Sequence, residues 1–423
     1  MILELTPMTR IRFASTAAAL LAAVVFVRTA AADPPGGEPV THWNTVAAAA
    51  YAPTQGTQPL PQSRTFAILH AAIHDALNAI DRRFAPYTPG LAAAPGADVD
   101  TAVATAAREV LVTLVPDQAA LVDEAYYHAF IGIPEGPAKQ AGIAVGRAAA
   151  QATLHRRATD GIDGATQPVY VTRGTAGDYQ FTAPFDLALV PGWGRITPFA
   201  IDLAGHRLDG PLPVTGREYA RDVAYLKAIG ALHSTTRTAE QSTIAQFWYE
   251  DSPLGWNRIT NIVVRQRGLD SWAAARAFAL VNFAIADGYI AGFEAKYHFR
   301  FWRPVTAIRA ADDDGNPRTA GDPAWQPFLV TPPVPDYPST HTVAGAAAAE
   351  VLIALFGDKV AYDTTSLTLP GVTRHYTGFS AAARENGLSR IYAGIHFQHA
   401  VKDGHKQGRG IGRAVSGALA AVN

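Results

Sequence analysis

Apolar residues recur at intervals of three and four along most of this chain, and that spacing constrains its fold more than any other feature. Leu69, Ile73, Leu77 and Ile80 show the pattern clearly, which is the period of an α-helix with one buried face. Sustained alternation of apolar and polar residues, which half-buried strands require, is hard to find. The sequence therefore predicts an all-α protein. The predicted helices cover residues 42–81, 101–114, 117–131, 137–160, 217–229, 238–249, 256–267, 271–296, 340–356, 380–393 and 397–421.

Two stretches interrupt the helical pattern. Residues 161–215 and 309–337 are rich in Gly and Pro, which are typical of turns and loops. We predict long irregular connections there, which are uncommon unless they are functional or packed on a large domain. Alanine is abundant in the helical segments; it is the best helix former, and its small side chain lets neighbouring backbones approach closely.

The first 32 residues have the organisation of a secretory signal. Arg10 and Arg12 precede an apolar run that ends at Val27, and small residues follow up to Ala32. The run of about 15 residues is shorter than the roughly 20 that a membrane-spanning helix needs. We expect cleavage near Ala32 and export to the periplasm or the medium, with an uncleaved membrane anchor as the alternative. No later stretch looks long and apolar enough to span a membrane, so we expect no stable membrane span in the mature chain.

Composition narrows the chemistry that the remaining chain can perform. It contains no cysteine, which excludes disulfides, thiol nucleophiles and Cys-based zinc sites. Lys and Arg number 35 and Asp and Glu number 36, so no global field attracts nucleic acid or anionic lipid. We expect no nucleic-acid partner, and a homo-oligomer is compatible with the Ala-rich helical surface. We predict a single helical domain over residues 33–423, whose half from about 271 to 423 carries the chemistry.

Three short clusters near the end of the chain concentrate cationic and nucleophilic side chains. They are Lys296 with Arg303-Pro304, then Pro338-Ser339-Thr340-His341 at the start of an Ala-rich helix, then Ser389-Arg390 with His396. Arginine forks match phosphate-like oxygens in a bidentate way, and a helix N-terminus supplies free N–H groups. Three crowded cations would repel one another unless an anion lay between them. The clusters therefore predict a site for a tetrahedral or trigonal oxyanion.

Each of these residues also has a simpler interpretation. A lone Lys or Arg is usually a solvated surface charge, and a lone His is more often structural than catalytic. Ser339 can be an ordinary helix N-cap, because Ser is favoured there. What favours the site is the conjunction of these residues in one order at fixed internal spacings.

The three clusters resemble a known signature. They look like the Lys-x6-Arg-Pro, Pro-Ser-Gly-His and Ser-Arg-x5-His-x3-Asp motifs of the superfamily of type 2 phosphatidic acid phosphatases and vanadium-dependent haloperoxidases. The stretches at 301–308, 337–341 and 389–397 are similar to its bacterial haloperoxidase branch. Residues 70–80 show a weaker similarity to the same branch. The resemblance implies a pair of four-helix bundles.

The resemblance also implies a role for each residue of the clusters. Lys296, Arg303 and Arg390 would neutralise the equatorial oxygens of a vanadate cofactor, and Ser339 with the amide of Thr340 would hydrogen-bond the same oxygens. His396 would be the metal ligand. His341 would be the acid–base group, and Lys296 would assist it by polarising the peroxide. The catalytic set is then His341, His396 and Lys296.

This sequence departs from the signature at two positions. Thr340 stands where the generic motif has Gly, which leaves the amide donor in place. Ala400 stands where the motif has the Asp that orients the vanadium-binding histidine, and loss of such a partner weakens metal sites. Asp403 and Asp75 are the carboxylates that we consider as substitutes.

The resemblance implies an enzyme that oxidises a halide with hydrogen peroxide to a hypohalous species, which then halogenates a small organic acceptor. The same pocket suits a phosphomonoesterase in which His396 attacks phosphorus and His341 protonates the leaving oxygen. A catalytically weak oxyanion-binding protein is a third alternative, and Ala400 supports it. We prefer the haloperoxidase. His70 and His74 share a helix face, but Ala71 replaces the Glu of a zincin motif, so we expect them to be buried structural histidines.

Overall fold

Regular structure in this protein is almost entirely helical. The computed structural model describes residues 37–54, 56 and 59–422. Within this part of the chain the helices are α1 (Glu38–Tyr51), α2 (Pro59–Ile80), α3 (Val99–Leu114), α4 (Ala119–Ala129), α5 (Pro137–Arg157), α6 (Arg217–Ile229), α7 (Ala239–Phe247), α8 (Ser252–Gln266), α9 (Ser271–Phe299), α10 (Pro304–Arg309), α11 (Thr340–Phe356), α12 (Phe379–Tyr392) and α13 (Gln398–Ser416). A small antiparallel hairpin joins β1 (Tyr362–Thr364) to β2 (Arg374–Tyr376). The all-α prediction is confirmed.

Helix α9 runs through the core of the fold. It packs against α2 and against α11, and large side chains such as Phe278, Phe283 and Tyr289 are buried along it. A helix that is apolar on all sides needs such surroundings. Its length and apolar composition would suffice to cross a membrane. The expectation that no later stretch is long and apolar enough to span a membrane was therefore wrong. However, 89% of its most apolar window is buried inside the protein, as in the core helix of a soluble protein.

The neighbouring helices form two groups that share α9. Helices α2, α3 and α5 pack in the first group, α11, α12 and α13 pack in the second, and α1 and α8 pack against each other and against α9. This arrangement agrees with the predicted pair of helical bundles. The signature residues belong to the second group and to the segments that connect its helices.

Helices α11 and α13 approach each other closely because small residues face the contact. Gly404, Gly408 and Gly412 lie four residues apart on one face of α13. A Cβ at Gly408 would lie 2.3 Å from the carbonyl oxygen of Val343, and one at Gly412 would lie 2.6 Å from that of Ala347. The Ala-rich sequence of α11 completes this contact, which positions the start of α11 beside α13.

The structure corrects several predicted boundaries. The helix predicted over 42–81 is two helices, because Pro53, Gly56 and Pro59 interrupt the pattern between α1 and α2. Helix α10 and the β1–β2 hairpin were missed, because each is too short to show a period. Helices α6 and α11 have the predicted bounds.

Residues 161–215 form the predicted irregular connection. They contain short 3₁₀ turns at Ile162–Gly164, Trp193–Arg195 and Leu203–His206. The buried carboxylate of Asp287 in α9 accepts hydrogen bonds from the backbone N–H groups of Phe199 (2.6 Å), Ala200 (2.9 Å) and Ile201 (3.2 Å). These bonds attach the connection to the core helix.

The predicted signal segment, residues 1–32, lies outside the described residues, so its cleavage and the export of the chain stay predictions. The same holds for the boundary of the mature domain at residue 33.

Candidate active site

The first cluster lies where α9 ends and α10 begins. Lys296, in the last turn of α9, is fully buried, and its Nζ donates to the backbone oxygens of Pro335 (2.6 Å) and Asp336 (2.9 Å). Arg303 immediately precedes α10 and is also buried. Its Nε donates to the oxygen of Val334 (2.6 Å). Both cations therefore hold the segment that precedes α11.

The second cluster forms the start of α11. Ser339 occupies the N-cap position, yet its side chain makes no capping hydrogen bond; its Oγ accepts from the hydroxyl of Thr342 at 2.9 Å. Ser339 is therefore the N-cap residue by position, as the simpler interpretation has it, but its side chain does not cap the helix. His341, in the first turn, places Nδ1 3.0 Å from Oγ of Ser252. Its Nε2 is buried and has no hydrogen-bond partner among the described residues.

The third cluster joins α12 to α13. Arg390, in the last turn of α12, is buried and donates through Nη1 to the oxygen of Trp248 (3.1 Å). Its Nε is buried without a hydrogen-bond partner in the described part of the chain. His396 lies in the short connection that leads into α13 and is 3% exposed.

These clusters come together in three dimensions. Nη1 of Arg303 lies 3.0 Å from Nε2 of His396 and donates to the oxygen of Ile395 at 2.7 Å. The pKa of His396 is held well below its usual value by burial first, and then by the charges of Arg303, Lys296 and Arg390 and by His341. Arg303, Lys296, Arg390 and His341 are therefore all close enough to His396 to act on its charge. Ser339 and Thr340 are brought to this cluster by the helix that carries His341.

The electrostatics of the cluster favour a bound anion. Burial lowers the pKa of Arg390 to about 10, and burial with the charge of Arg303 lowers that of Lys296 well below its usual value. Both residues, like Arg303, are hydrogen-bonded mainly to neutral backbone oxygens. Cations buried in this way are stabilised when an anion lies among them.

The donors that are free at the site match a tetraoxo anion such as vanadate or phosphate. Within the described part of the chain, Arg390 has an unused Nε–H and the first turn of α11 lacks a side-chain cap. The imidazole of His341 offers an unpartnered Nε2. Such an anion takes several N–H donors and one imidazole ligand, and the residues present supply both kinds of group.

The structure reveals two polar residues at this site that the sequence did not single out. Asp336 is fully buried, and its Oδ1 lies 2.8 Å from Nδ1 of His396. Ser252 supports Nδ1 of His341 from the start of α8. Asp336 directly precedes the Tyr337 stretch of the signature, so an acidic residue in an otherwise apolar segment was a usable signal. No comparable sequence signal marked Ser252.

Neither carboxylate considered as a substitute for the missing Asp reaches His396. Asp403 accepts from the hydroxyl of Tyr337 at 2.7 Å. Asp75 accepts from the backbone N–H groups of Tyr87 and Thr88, both at 2.7 Å. Both suggestions were wrong, because the carboxylate beside His396 comes from the segment before α11.

Buried histidines outside the site have structural partners. Nε2 of His70 lies 3.1 Å from Oδ1 of Asn44, and Nε2 of His74 lies 3.0 Å from the oxygen of Ala85. Nδ1 of His399 lies 2.9 Å from Asp222. These contacts agree with the structural interpretation of His70 and His74.

Comparison with known proteins points the same way. A family model described as the VCPO second helical-bundle domain matches residues 276–422. The vanadium chloroperoxidase of Curvularia inaequalis is 26% identical over 288 residues, 51% of this chain and 46% of that protein. The match thus spans about half the length of that relative.

Solved structures extend the likeness to nearly the whole chain. The first bacterial vanadium-dependent iodoperoxidase is similar with a TM-score of 0.80 and 25% identity, over 93% of this chain and 99% of that one. An apo-type bacterial vanadium-dependent chloroperoxidase has a TM-score of 0.71 at 16% identity, over 85% of this chain and 93% of that one, and shows the fold alone. Together with the clusters and their geometry, these matches support the superfamily of vanadium-dependent haloperoxidases and type 2 phosphatidic acid phosphatases for this chain.

Proposed function

We propose that this protein is a vanadium-dependent haloperoxidase, which oxidises a halide with hydrogen peroxide and so halogenates small organic acceptors. The single observation that carries the proposal is the cluster of three buried cations with the imidazoles of His341 and His396. Its relatives include a chloroperoxidase and an iodoperoxidase that depend on vanadium. They support this class of enzyme without selecting a halide.

The residues divide between holding the anion and moving protons. Lys296, Arg303 and Arg390 would hold vanadate oxygens, together with Ser339 and the N–H of Thr340, and His396 would bind vanadium through Nε2. Bound vanadate supplies a Lewis acid that polarises peroxide. The surrounding cations add fixed charge stabilisation in a site with little solvent, which is commonly the largest contribution to catalysis.

His341 is suited to accept a proton from peroxide. Burial, followed by the charge of Arg390, lowers its pKa well below the usual value, so the ring is neutral before substrate binds. Nδ1 faces the hydroxyl of Ser252 and Nε2 has no partner among the described residues. A neutral imidazole with a free nitrogen acts as a base.

A phosphomonoesterase is the second candidate, and the observation that favours it is the buried imidazole of His396 beside the guanidinium of Arg303. Burial and nearby cations hold its pKa well below the usual value, which leaves a nucleophilic nitrogen available to attack phosphorus. In that reaction His341 would have to donate a proton to the leaving oxygen. Its lowered pKa opposes this role, and we therefore rank the phosphatase second.

Parallel assays separate the candidates. The full chain is loaded with orthovanadate and assayed for peroxide-dependent halogenation with chloride, bromide and iodide, while phosphomonoester hydrolysis is measured without vanadate. We expect halogenation, and its absence alongside robust hydrolysis would reverse the ranking. Inactivity in both assays, with anion binding retained, would favour the oxyanion-binding protein.

His396→Ala should abolish whichever activity is found, because it removes the ligand or the nucleophile. The matched control is His375→Ala, since His375 is exposed and pairs with Asp363 at 2.9 Å; its activity should equal that of the wild type. Unchanged turnover in His396→Ala would remove His396 from the catalytic residues.

We also propose export of the chain, which rests on the sequence of residues 1–32 alone. N-terminal sequencing of the protein recovered outside the cytoplasm should find a start near residue 33. Recovery of the intact N-terminus from the membrane fraction would support the uncleaved anchor instead.

A further inference from the structure

Asp336 occupies an unusual position for a carboxylate. It is fully buried, two residues before Pro338, and its Oδ1 lies 2.8 Å from Nδ1 of His396 and 4.0 Å from Nη1 of Arg303. The approach to Nδ1 is short but not well aligned, and neither carboxylate oxygen has a well-formed hydrogen bond to any described residue. A buried carboxylate without such partners is costly, which calls for a compensating role.

We propose that Asp336 is the positioning residue of His396. Its carboxylate accepts a hydrogen bond from the protonated Nδ1 of His396, so that Nε2 faces the bound oxyanion. This inference deepens the proposed function and rests on it for the identity of the anion. Asp336 thereby orients His396, as the Asp of the superfamily motif would do from position 400, where this chain has Ala.

The contact that His396 makes through Nε2 indicates that its proton is on Nδ1. Nη1 of Arg303 lies 3.0 Å from Nε2 of His396 and 3.5 Å from Nδ1, so Nε2 is the nearer ring nitrogen. A guanidinium has only donors, so the nearer nitrogen offers it a lone pair. A neutral imidazole has one proton, which is then on Nδ1, on the side of Asp336.

The backbone around Asp336 is held by the cations of the same site. Lys296 donates to the backbone oxygens of Pro335 and Asp336, and Arg303 donates to that of Val334. Two of the anion-binding side chains therefore also fix the carboxylate relative to His396. Histidine ligands of metals commonly donate their second N–H to a carboxylate in this way.

Other carboxylates near this end of the chain are already engaged elsewhere. Asp222 accepts from the backbone N–H groups of Gln398 and His399, and Asp403 accepts from Tyr337. Asp403 is therefore a matched control, since it is the carboxylate nearest in sequence to the position where the superfamily motif has Asp.

The first test reads the tautomer of His396 in the anion-free protein. The full chain is labelled with ¹⁵N-histidine, and the signal of His396 is assigned by its loss in His396→Ala. We expect the Nδ1–H tautomer in the wild type, in Asp403→Asn and in Asp336→Asn, whose amide oxygen still accepts. Asp336→Ala should show the Nε2–H form or a mixture. A wild type with Nε2–H, or an unchanged tautomer in a folded Asp336→Ala, would overturn the proposal.

The second test measures binding of orthovanadate and of inorganic phosphate by titration calorimetry. Asp336→Ala should bind each anion roughly 10- to 100-fold more weakly than the wild type, and Asp403→Asn should bind as the wild type does. Equal affinities in Asp336→Ala and the wild type would contradict the assignment. If the wild type binds neither anion, the proposed function fails, and the tautomer still decides the role of Asp336. Circular dichroism establishes folding. Should Asp336→Ala not fold, the tautomer of the wild type decides alone, since an Nε2–H form there would overturn the proposal.

Discussion

The side chain at position 340 shows how one residue of the signature depends on the helix beside it. Thr340 stands where the generic motif has Gly, and it points its Cγ2 at Gly292 of α9. A Cβ on Gly292 would lie 2.4 Å from that methyl carbon and 3.4 Å from Cβ of Thr340. Gly292 therefore makes room for the larger residue at the start of α11.

Replacing Gly292 should expose this dependence. Gly292→Ala should lower the free energy of unfolding by about 1–3 kcal/mol, because it overpacks the contact with Thr340. Thr340→Ser removes the methyl group and should relieve most of that cost in the double variant. Urea unfolding of the four proteins gives the coupling, which we expect to be about 1 kcal/mol. Strictly additive effects would contradict the contact.

Ser252 should act on catalysis through His341. In Ser252→Ala the imidazole loses its partner at Nδ1, so we expect kcat for halogenation to fall about tenfold while the affinity for orthovanadate stays within about twofold. Ser63→Ala is the control, because Ser63 is buried and donates to the oxygen of Leu60 in α2. An unchanged kcat in Ser252→Ala would remove Ser252 from the supporting residues.

At the scale of elements, the contact between α11 and α13 depends on glycine. Gly408→Ala should cost about 1–3 kcal/mol of unfolding free energy, because its Cβ would meet the backbone of Val343 at 2.3 Å. Gly410, on the same helix, has its nearest neighbour, Nδ1 of His206, at 3.4 Å. Gly410→Ala should therefore be neutral or stabilising by up to about 1 kcal/mol. Equal thermal unfolding of the two variants would contradict this packing.

Periodicity predicted the long elements and missed the short ones. Helices α6 and α11 have the predicted bounds because their apolar residues repeat over several turns. Helix α10 has six residues, and each strand of the hairpin has three, which is too few to show a period. The break between α1 and α2 was visible in its prolines, but the apolar pattern on both sides obscured it.

At the scale of the whole molecule, the connection over residues 161–215 is attached to the core through the buried carboxyl of Asp287. Burial raises the pKa of that carboxyl from 3.8 to about 7, against the hydrogen bonds from Phe199, Ala200 and Ile201 that lower it. The folded state therefore keeps a proton that the unfolded state releases near pH 4.

This shift predicts a pH dependence of stability. Between about pH 4 and 7 the unfolded state binds fewer protons, so Asp287 contributes a fall in unfolding free energy as pH rises, on the order of a few kcal/mol. Asp287→Asn removes the titration. From pH 4.5 to pH 7.5 the unfolding free energy of the wild type should therefore fall relative to that of the variant, as measured by urea unfolding. A difference that is constant with pH would contradict the assignment.

The sequence indicated which residues form the candidate site, but it did not indicate how they are arranged in space. Lys296, Arg303, Arg390, His341 and His396 followed from spacing and from resemblance. Their contacts join segments about 40 to more than 90 residues apart, and no local pattern encodes such distances. Asp336 was missed for the same reason, because the expected carboxylate was sought on the helix that follows His396.

The central claim is that these side chains surround one oxyanion, and a crystal structure of the full chain soaked in orthovanadate tests it most directly. We predict a single internal vanadate bonded to Nε2 of His396, with its oxygens within hydrogen-bonding distance of Lys296, Arg303 and Arg390. Vanadate found only at the surface, while His396 keeps its contact with Arg303, would contradict that claim.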